Sequence, residues 1–240
     1  MSNAATSARS TDQTLLIKYA IHLALQGSPR ECNELYRQKE FQEDLRRFGK
    51  DVFYMDFSYS QRKAFYTYVN NRLLGDVPVD YLEFGVAHGA SLRDWTSINR
   101  HEGSRFIGFD SFEGLPENWT LKAPKGAFST KGAPPKIDDK RVNLVKGLFQ
   151  ETVDAFSRSF ESRNRLVLHM DADLYSSTLY VFMNLDRHIE RGTIVLFDEF
   201  NARNYTDEYA ALKDYCRACN RDYAMLAARP DHAKVAVEIL

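Results

Sequence analysis

Short apolar runs, each stopping at a glycine or an acid, alternate along this chain with longer stretches whose apolar positions recur about every three to four residues. Runs of roughly four to eight apolar residues fit buried strands, and the periodic stretches fit helices. The runs are Val79–Phe84, Arg105–Asp110, 142–145, 166–170 and 193–197, followed by Tyr223–Ala228 and 234–240 around a turn at Pro230-Asp231. Helical patterns cover 13–26, 28–47, 61–74 (closed by Gly75), a segment from about Ala90, 178–190 (stopped by Gly192) and another from about Thr206. Strands alternating with helices predict an α/β fold with a mostly parallel sheet and helices on both faces.

The first run ends in Glu83-Phe84-Gly85-Val86-Ala87-His88-Gly89 before the helix at Ala90. A strand, a tight glycine turn and a helix N-terminus form the unit that takes nucleotide-like ligands at the carboxyl end of a parallel sheet. Asp110 falls 21 positions after Gly89 (110 minus 89), near the spacing of a carboxylate that binds ribose hydroxyls. The glycines are spaced G-x-x-x-G and not G-x-G-x-x-G, which favours a nucleoside carrying a carboxylate and an amine over a pyrophosphate. Glu83, Gly85 and Gly89 have the form of the first motif of class I S-adenosylmethionine-dependent methyltransferases. A plain glycine turn after a buried strand is the alternative.

Two later tips carry more acid than a turn needs. One is Asp171-Ala172-Asp173-Leu174-Tyr175 and the other is Asp198-Glu199-Phe200-Asn201. Parallel strands joined by the 178–190 crossover helix bring Asp171, Asp198 and Glu199 together. Such carboxylates repel one another unless protonated or bound to a cation, and an all-oxygen set suits a hard ion, Mg²⁺ in preference to others. Helix capping by Asp171 or Asp173 is the simpler alternative, although it needs one acid per helix and each tip supplies two.

The blocks Glu83-Phe-Gly-Val-Ala-His-Gly89, Phe109-Asp-Ser-Phe-Glu-Gly-Leu-Pro116, Lys146-Gly-Leu-Phe-Gln-Glu-Thr152, Met170-Asp-Ala-Asp-Leu-Tyr-Ser-Ser-Thr178 and Phe197-Asp-Glu199 together resemble the macrocin O-methyltransferase family. Its members are metal-dependent enzymes that methylate sugar hydroxyls of macrolides and related natural products. The resemblance runs from about Phe57 to Asn201. It implies a Rossmann-like class I methyltransferase fold with a seven-stranded sheet, one strand antiparallel, preceded by extra N-terminal helices. It implies S-adenosyl-L-methionine and Mg²⁺ as cofactors and a small-molecule glycoside as substrate. Glu83, Gly85 and Gly89, with Ala87 and Ser91 of the same turn, would bind the methionine end of the cofactor. Asp110 would hold the ribose, Ser111 and Phe112 would border the adenosine, and Gly147 and Phe149 the adenine. Asp171, Asp198 and Glu199 match the metal positions, with one departure, since the last is commonly aspartate.

A sugar hydroxyl holds its proton too tightly to attack unaided, so a divalent ion on that oxygen and in-line placement of the methyl donor are the tasks of such a site. Asp171 is the first candidate to accept the proton, with Asp173 and His88 behind it. His169, inside a strand, ranks lower. The same ion could instead serve a catechol-like phenolic diol, and a protein that binds the cofactor without turnover is a third reading.

Composition narrows the classes. The 240 residues carry 44% hydrophobic positions and a formal net charge of -1, with a pI near 6.6. Nothing there calls for nucleic acid or a membrane as partner, and no apolar run is long enough for a membrane span. Residues 1–10 read as a flexible lead whose Met1-Ser2-Asn3-Ala4 opening looks like a tag remnant, 11–75 as a helical cap and 76–240 as the catalytic core. The N-terminal helices are the expected homo-oligomer contact. The aromatic segment 53–59 is expected to pack mostly into the core, and the Pro-, Gly- and Lys-containing stretch 115–140, with Trp119, reads as a lid or a solvated loop. Cys32, Cys216 and Cys219 form no zinc pattern and read as free thiols of a cytoplasmic protein.

Overall fold

The computed structural model describes residues 28–201 and 206–240. The chain divides into two compact units, residues 1–47 and 48–240. In the first, the helical pattern expected over 28–47 is helix α1 (Pro29–Phe48), steadied by an Arg37–Glu40 ion pair at 2.9 Å. The helix expected at 13–26 and the lead at 1–10 lie outside the described residues.

The larger unit is built on one sheet. Its strands are β1 (Phe53–Tyr54), β2 (Val79–Phe84), β3 (Arg105–Asp110), β4 (Val142–Lys146), β5 (Arg165–Met170), β6 (Ile194–Phe197), β7 (Tyr223–Ala228) and β8 (Val235–Ile239). Their spatial order is β1-β7-β8-β6-β5-β2-β3-β4. All neighbours are parallel except β8, which runs antiparallel to both β6 and β7. The seven expected strands and the single antiparallel one are present, and the sheet gains an eighth. This is the two-residue β1, too short to be read from periodicity, which pairs Phe53 with Ala227 and Tyr54 with Ala228.

Helices α2 (Arg62–Tyr68), α3 (Ala90–Ile98), α4 (Phe149–Ser159), α5 (Tyr175–Leu185) and α6 (Asp207–Ala218) complete the unit. The stretch expected as one helix over 61–74 is α2 continued by a π-helical turn, Val69–Leu74, and closed by Gly75 in the left-handed conformation. Residues 62–74, expected within the helical cap, belong to this larger unit. The crossover helix starts three residues earlier than expected and ends at Leu185, short of Glu190 (178 minus 175 is 3).

Central strand β2 is buried along its whole length, as a parallel strand covered on both faces must be. Tyr66, Tyr81, Trp95 and Phe106 fill one face of the sheet beneath α2 and α3. The aromatic segment departs from expectation. Only Phe57 is buried, while Phe53, Tyr54 and Tyr59 are 43%, 40% and 59% exposed. Phe53 instead stacks on Tyr68 at 4.2 Å and Tyr54 meets the edge of His232. No helix among the described residues is long and apolar enough to cross a membrane.

Candidate active site

Strand register sets the site. Phe84 pairs with Met170 and Met170 with Phe197, so Gly85, Asp171 and Asp198 stand side by side one residue beyond. Backbone bonds carry the ladder across that step, from Asp171 N–H to the Phe84 carbonyl (2.9 Å) and from Asp198 N–H to the Met170 carbonyl (3.0 Å). Gly85 has φ +99°, and a Cβ there would run into the Asp171 carbonyl. Glycine is what lets the two strand tips lie flush.

A cavity of about 260 Å³ opens above these tips. Gly85, Ala87, Asp110, Ser111, Gly147 and Phe149 line one end of it, and Asp171, Asp173, Asp198 and Glu199 the other, with Tyr59, Trp119 and Phe128 also facing it. Ten of the sequence-derived site residues therefore share one space.

The donor end is held by backbone geometry. The Asp110 carboxylate accepts the N–H groups of Val86 (2.8 Å), Ala87 (2.7 Å) and Phe112 (2.6 Å), which straps the glycine turn to the tip of β3. The remaining predicted positions shape this turn without reaching the cavity. Glu83 points to the sheet face under α3, where Ser91 Oγ donates to its Oε1 at 2.7 Å. Gly89, left-handed, precedes α3 and abuts Pro135 and Ile137. Phe112 is buried. His88 is exposed, its carbonyl bound by the Arg93 guanidinium at 2.6 Å.

The acid end is held by charge. Helix capping does not explain its carboxylates, since the N-cap of α5 is Leu174 and no side-chain cap bond is made there. Burial, followed by the neighbouring Asp198, pushes the Asp171 carboxyl well above the ordinary range. Asp173, at φ +60°, is raised to about 7 by burial and then by Glu199 and Asp198. Burial likewise raises Glu199. Asp198 goes the other way: burial alone would raise it, but the Lys234 ammonium and the His169 ring hold it well below the usual carboxylate range.

Three residues of this end carry no local sequence signal. Lys234 Nζ lies 2.5 Å from Asp198 Oδ2 and donates to the Asp198 carbonyl at 3.2 Å. Glu208 on α6 accepts the N–H groups of Ala172 (3.3 Å) and Glu199 (3.1 Å), tying the two acid-bearing loops together. Tyr81 donates to Glu83 Oε2 at 2.6 Å and lies 2.5 Å from His169 Nδ1. Because that hydroxyl spends its proton on Glu83, His169 Nδ1 must be the donor toward it. The far ring nitrogen is 3.7 Å from Asp198 Oδ1, a charge contact too long for a hydrogen bond. Burial opposes charging of this imidazole, yet Asp198 and Glu83 outweigh it and raise His169 to about 9.

Among the described residues, one atom each from His169, Asp171 and Asp198 lies within 4.8 Å of the others, close enough to share a metal ion. Within that group the carboxylates of Asp171 and Asp198 offer the oxygen ligands that a hard divalent cation takes. Glu199 lines the same cavity without joining that tight group. The donor set is oxygen-only and its acids outnumber Lys234 and His169, so the residues present fit a hard divalent cation.

A sheet ordered around antiparallel β8, with a glycine turn and a carboxylate at the first two tips, defines a Rossmann-like methyltransferase fold. The family model described as a methyltransferase domain matches residues 82–200, the stretch from β2 through both acid pairs. Among solved structures, the calicheamicin methyltransferase CalS11 is similar at 21% identity over 95% of this chain and 92% of that one, with a TM-score of 0.61. The apo structure of CalS11, described as a TDP-rhamnose 3'-O-methyltransferase, matches at 21% identity over 95% and 94%, with a TM-score of 0.54. The O-methyltransferase NovP matches at 20% identity over 74% and 78%, with a TM-score of 0.56. These likenesses establish the fold. No curated protein sequence matches the chain.

Proposed function

We propose that this chain is an S-adenosylmethionine-dependent O-methyltransferase that acts, with a divalent cation such as Mg²⁺, on a sugar hydroxyl of a glycosylated natural product, as members of the macrocin O-methyltransferase family do. The observation that carries it is the single cavity shared by the glycine turn with Asp110 and by the acids of the two far strand tips. The names of CalS11 and NovP, both O-methyltransferases, support the reaction class.

S-adenosylmethionine supplies a methyl group on a sulfonium, a strong electrophile that needs placement more than activation. Gly85 and Ala87 would receive its amino-acid end, Asp110 the ribose, and Ser111, Gly147 and Phe149 the adenosine. The cation, held by Asp171 and Asp198 with Glu199 beside them, would supply positive charge to the acceptor oxygen. Asp171 would accept the hydroxyl proton from a position adjoining the donor end, because its backbone lies against Gly85. Asp173 lines the same wall, and the exposed His88 is set aside as a base. Trp119 and Phe128 offer flat faces that suit a sugar ring and would exclude water over it.

The test is methyl transfer from S-adenosylmethionine to a panel of glycosides, with and without chelator. Turnover of a glycoside that falls roughly a hundredfold on Mg²⁺ removal supports the proposal. Methylation of catechols alone overturns the sugar assignment, and full activity in chelator overturns the cation.

A further inference from the structure

Lys234 reaches the acid cluster because of the one antiparallel strand. Parallel strands bring their last residues to the carboxyl-end tips, and an antiparallel strand brings its first. Phe197 pairs with Val235, so the residue before β8 falls opposite the residue after β6, which sets Lys234 against Asp198. The lysine is 1% exposed, and its ammonium lies 5.0 Å from the centroid of the Tyr59 ring, which borders the cavity. A buried ammonium bonded to a carboxylate that faces a cation site is placed where the cation's charge would go.

We infer that Lys234 is a resident cation that shares Asp198 with the divalent ion: it holds the acid cluster together when the ion is absent and weakens the ion's binding when it arrives. The inference rests on reading Asp171 and Asp198 as the ion's ligands. Two observations carry it. Asp198 commits Oδ2 and its carbonyl oxygen to Lys234 while Tyr66 reaches Oδ1 at 3.5 Å, so the ammonium already holds one oxygen of a carboxylate that the ion would need. Asp198 also stands in the tight group with His169 and Asp171, so the ammonium sits beside the carboxylates that would hold the ion. A positive charge kept at a shared carboxylate opposes, by Coulombic repulsion, a second positive charge bound to it. Lys234 is a positioning residue in this account. It sets how much divalent ion the site demands.

The experiment titrates Mn²⁺ alone into the full chain saturated with S-adenosylhomocysteine, by calorimetry and by electron paramagnetic resonance. Lys234→Met keeps an apolar stem of similar length and removes the charge. It should bind Mn²⁺ at least tenfold more tightly than the wild type, melt lower without ion and regain the loss when ion is added, while Lys234→Arg behaves as the wild type. Equal or weaker Mn²⁺ binding by Lys234→Met, with S-adenosylhomocysteine still bound, overturns the inference and leaves the proposed function standing. No Mn²⁺ binding by either protein overturns the cation reading with it. A second measurement needs no folded Met variant. In ¹⁵N-lysine-labelled wild type, the Lys234 ammonium resonance, assigned by its loss in Lys234→Arg, should shift as Mg²⁺ saturates the site, and a resonance that stays put overturns the sharing of Asp198.

Discussion

The two ends of the cavity are built on opposite principles. At the donor end a single carboxylate, Asp110, is satisfied by three backbone N–H groups, and the turn it straps is complete before any ligand enters. At the other end Asp171, Asp173, Asp198, Glu199 and Glu208 crowd together, and burial and mutual repulsion raise every one of them except Asp198. The first is preorganised, the second is held in electrostatic tension. An enzyme that binds one constant cofactor and also needs a cation at its acceptor would show that contrast. Tension of this kind is where a fold departs from its own stability optimum for function.

The sharpest way to break the contrast is Asp198→Ala. It strands the Lys234 ammonium and the His169 ring in the core without their shared partner, and losing one member of a buried pair costs about 3–5 kcal/mol, read as a lower urea midpoint. Next is Asp110→Ala, which leaves three N–H groups to water and should cost about 1–3 kcal/mol, together with most of the affinity for S-adenosylhomocysteine in calorimetry. Asp171→Asn should act in the opposite sense. Removing a carboxyl that the cluster disfavours as an anion is expected to raise the ion-free stability at pH 8 by about 1 kcal/mol while abolishing Mn²⁺ binding. Equal losses from Asp110 and Asp171 variants would erase the distinction between the two ends.

The buried imidazole adds a pH dependence. His169 has its folded-state pKa raised from 6.5 to about 9, so folding binds its proton more tightly than the unfolded chain does. The stability this provides is fully present below about pH 6.5 and is lost as pH rises through 9. Melting temperature in chelator should therefore decline across that interval, and the decline should be shallower in His169→Gln. Parallel melting profiles for the two proteins would remove the charged imidazole from the network.

Much of this organisation was legible in the order of residues. Strands Val79–Phe84, Arg105–Asp110 and Tyr223–Ala228 match their apolar runs end to end, because each run is bounded by glycine, a charge or a turn. The residues facing the cavity from both sides were also readable, since strand tips in a parallel sheet converge whatever lies between them. Less legible was anything decided by long-range pairing. Lys234 looks like any first residue of a strand, and only its antiparallel register with β6 gives it a role. Glu208 lies on the helix of the 206 segment, where an acid in the first turn is ordinary, yet it bonds loops that are 36 and 9 residues away in sequence. Glu83 illustrates the converse. Its motif placed it at the cofactor, whereas side-chain alternation turns it to the sheet face, where Tyr81 and Ser91 hold it. The crossover helix starts at Tyr175, ahead of the expected 178, and no side-chain cap bond marks that start.

The central claim is that the acid end holds a cation beside a cofactor seated over Gly85. The most direct measurement is a crystal grown with S-adenosylhomocysteine and MnCl₂, with anomalous scattering recorded at the manganese edge. The account predicts one manganese peak between the carboxylates of Asp171 and Asp198, within the same cavity as the ligand's sulfur, and ribose density against Asp110. Saturating manganese that leaves no peak at those two carboxylates, with the ligand in place, would contradict it.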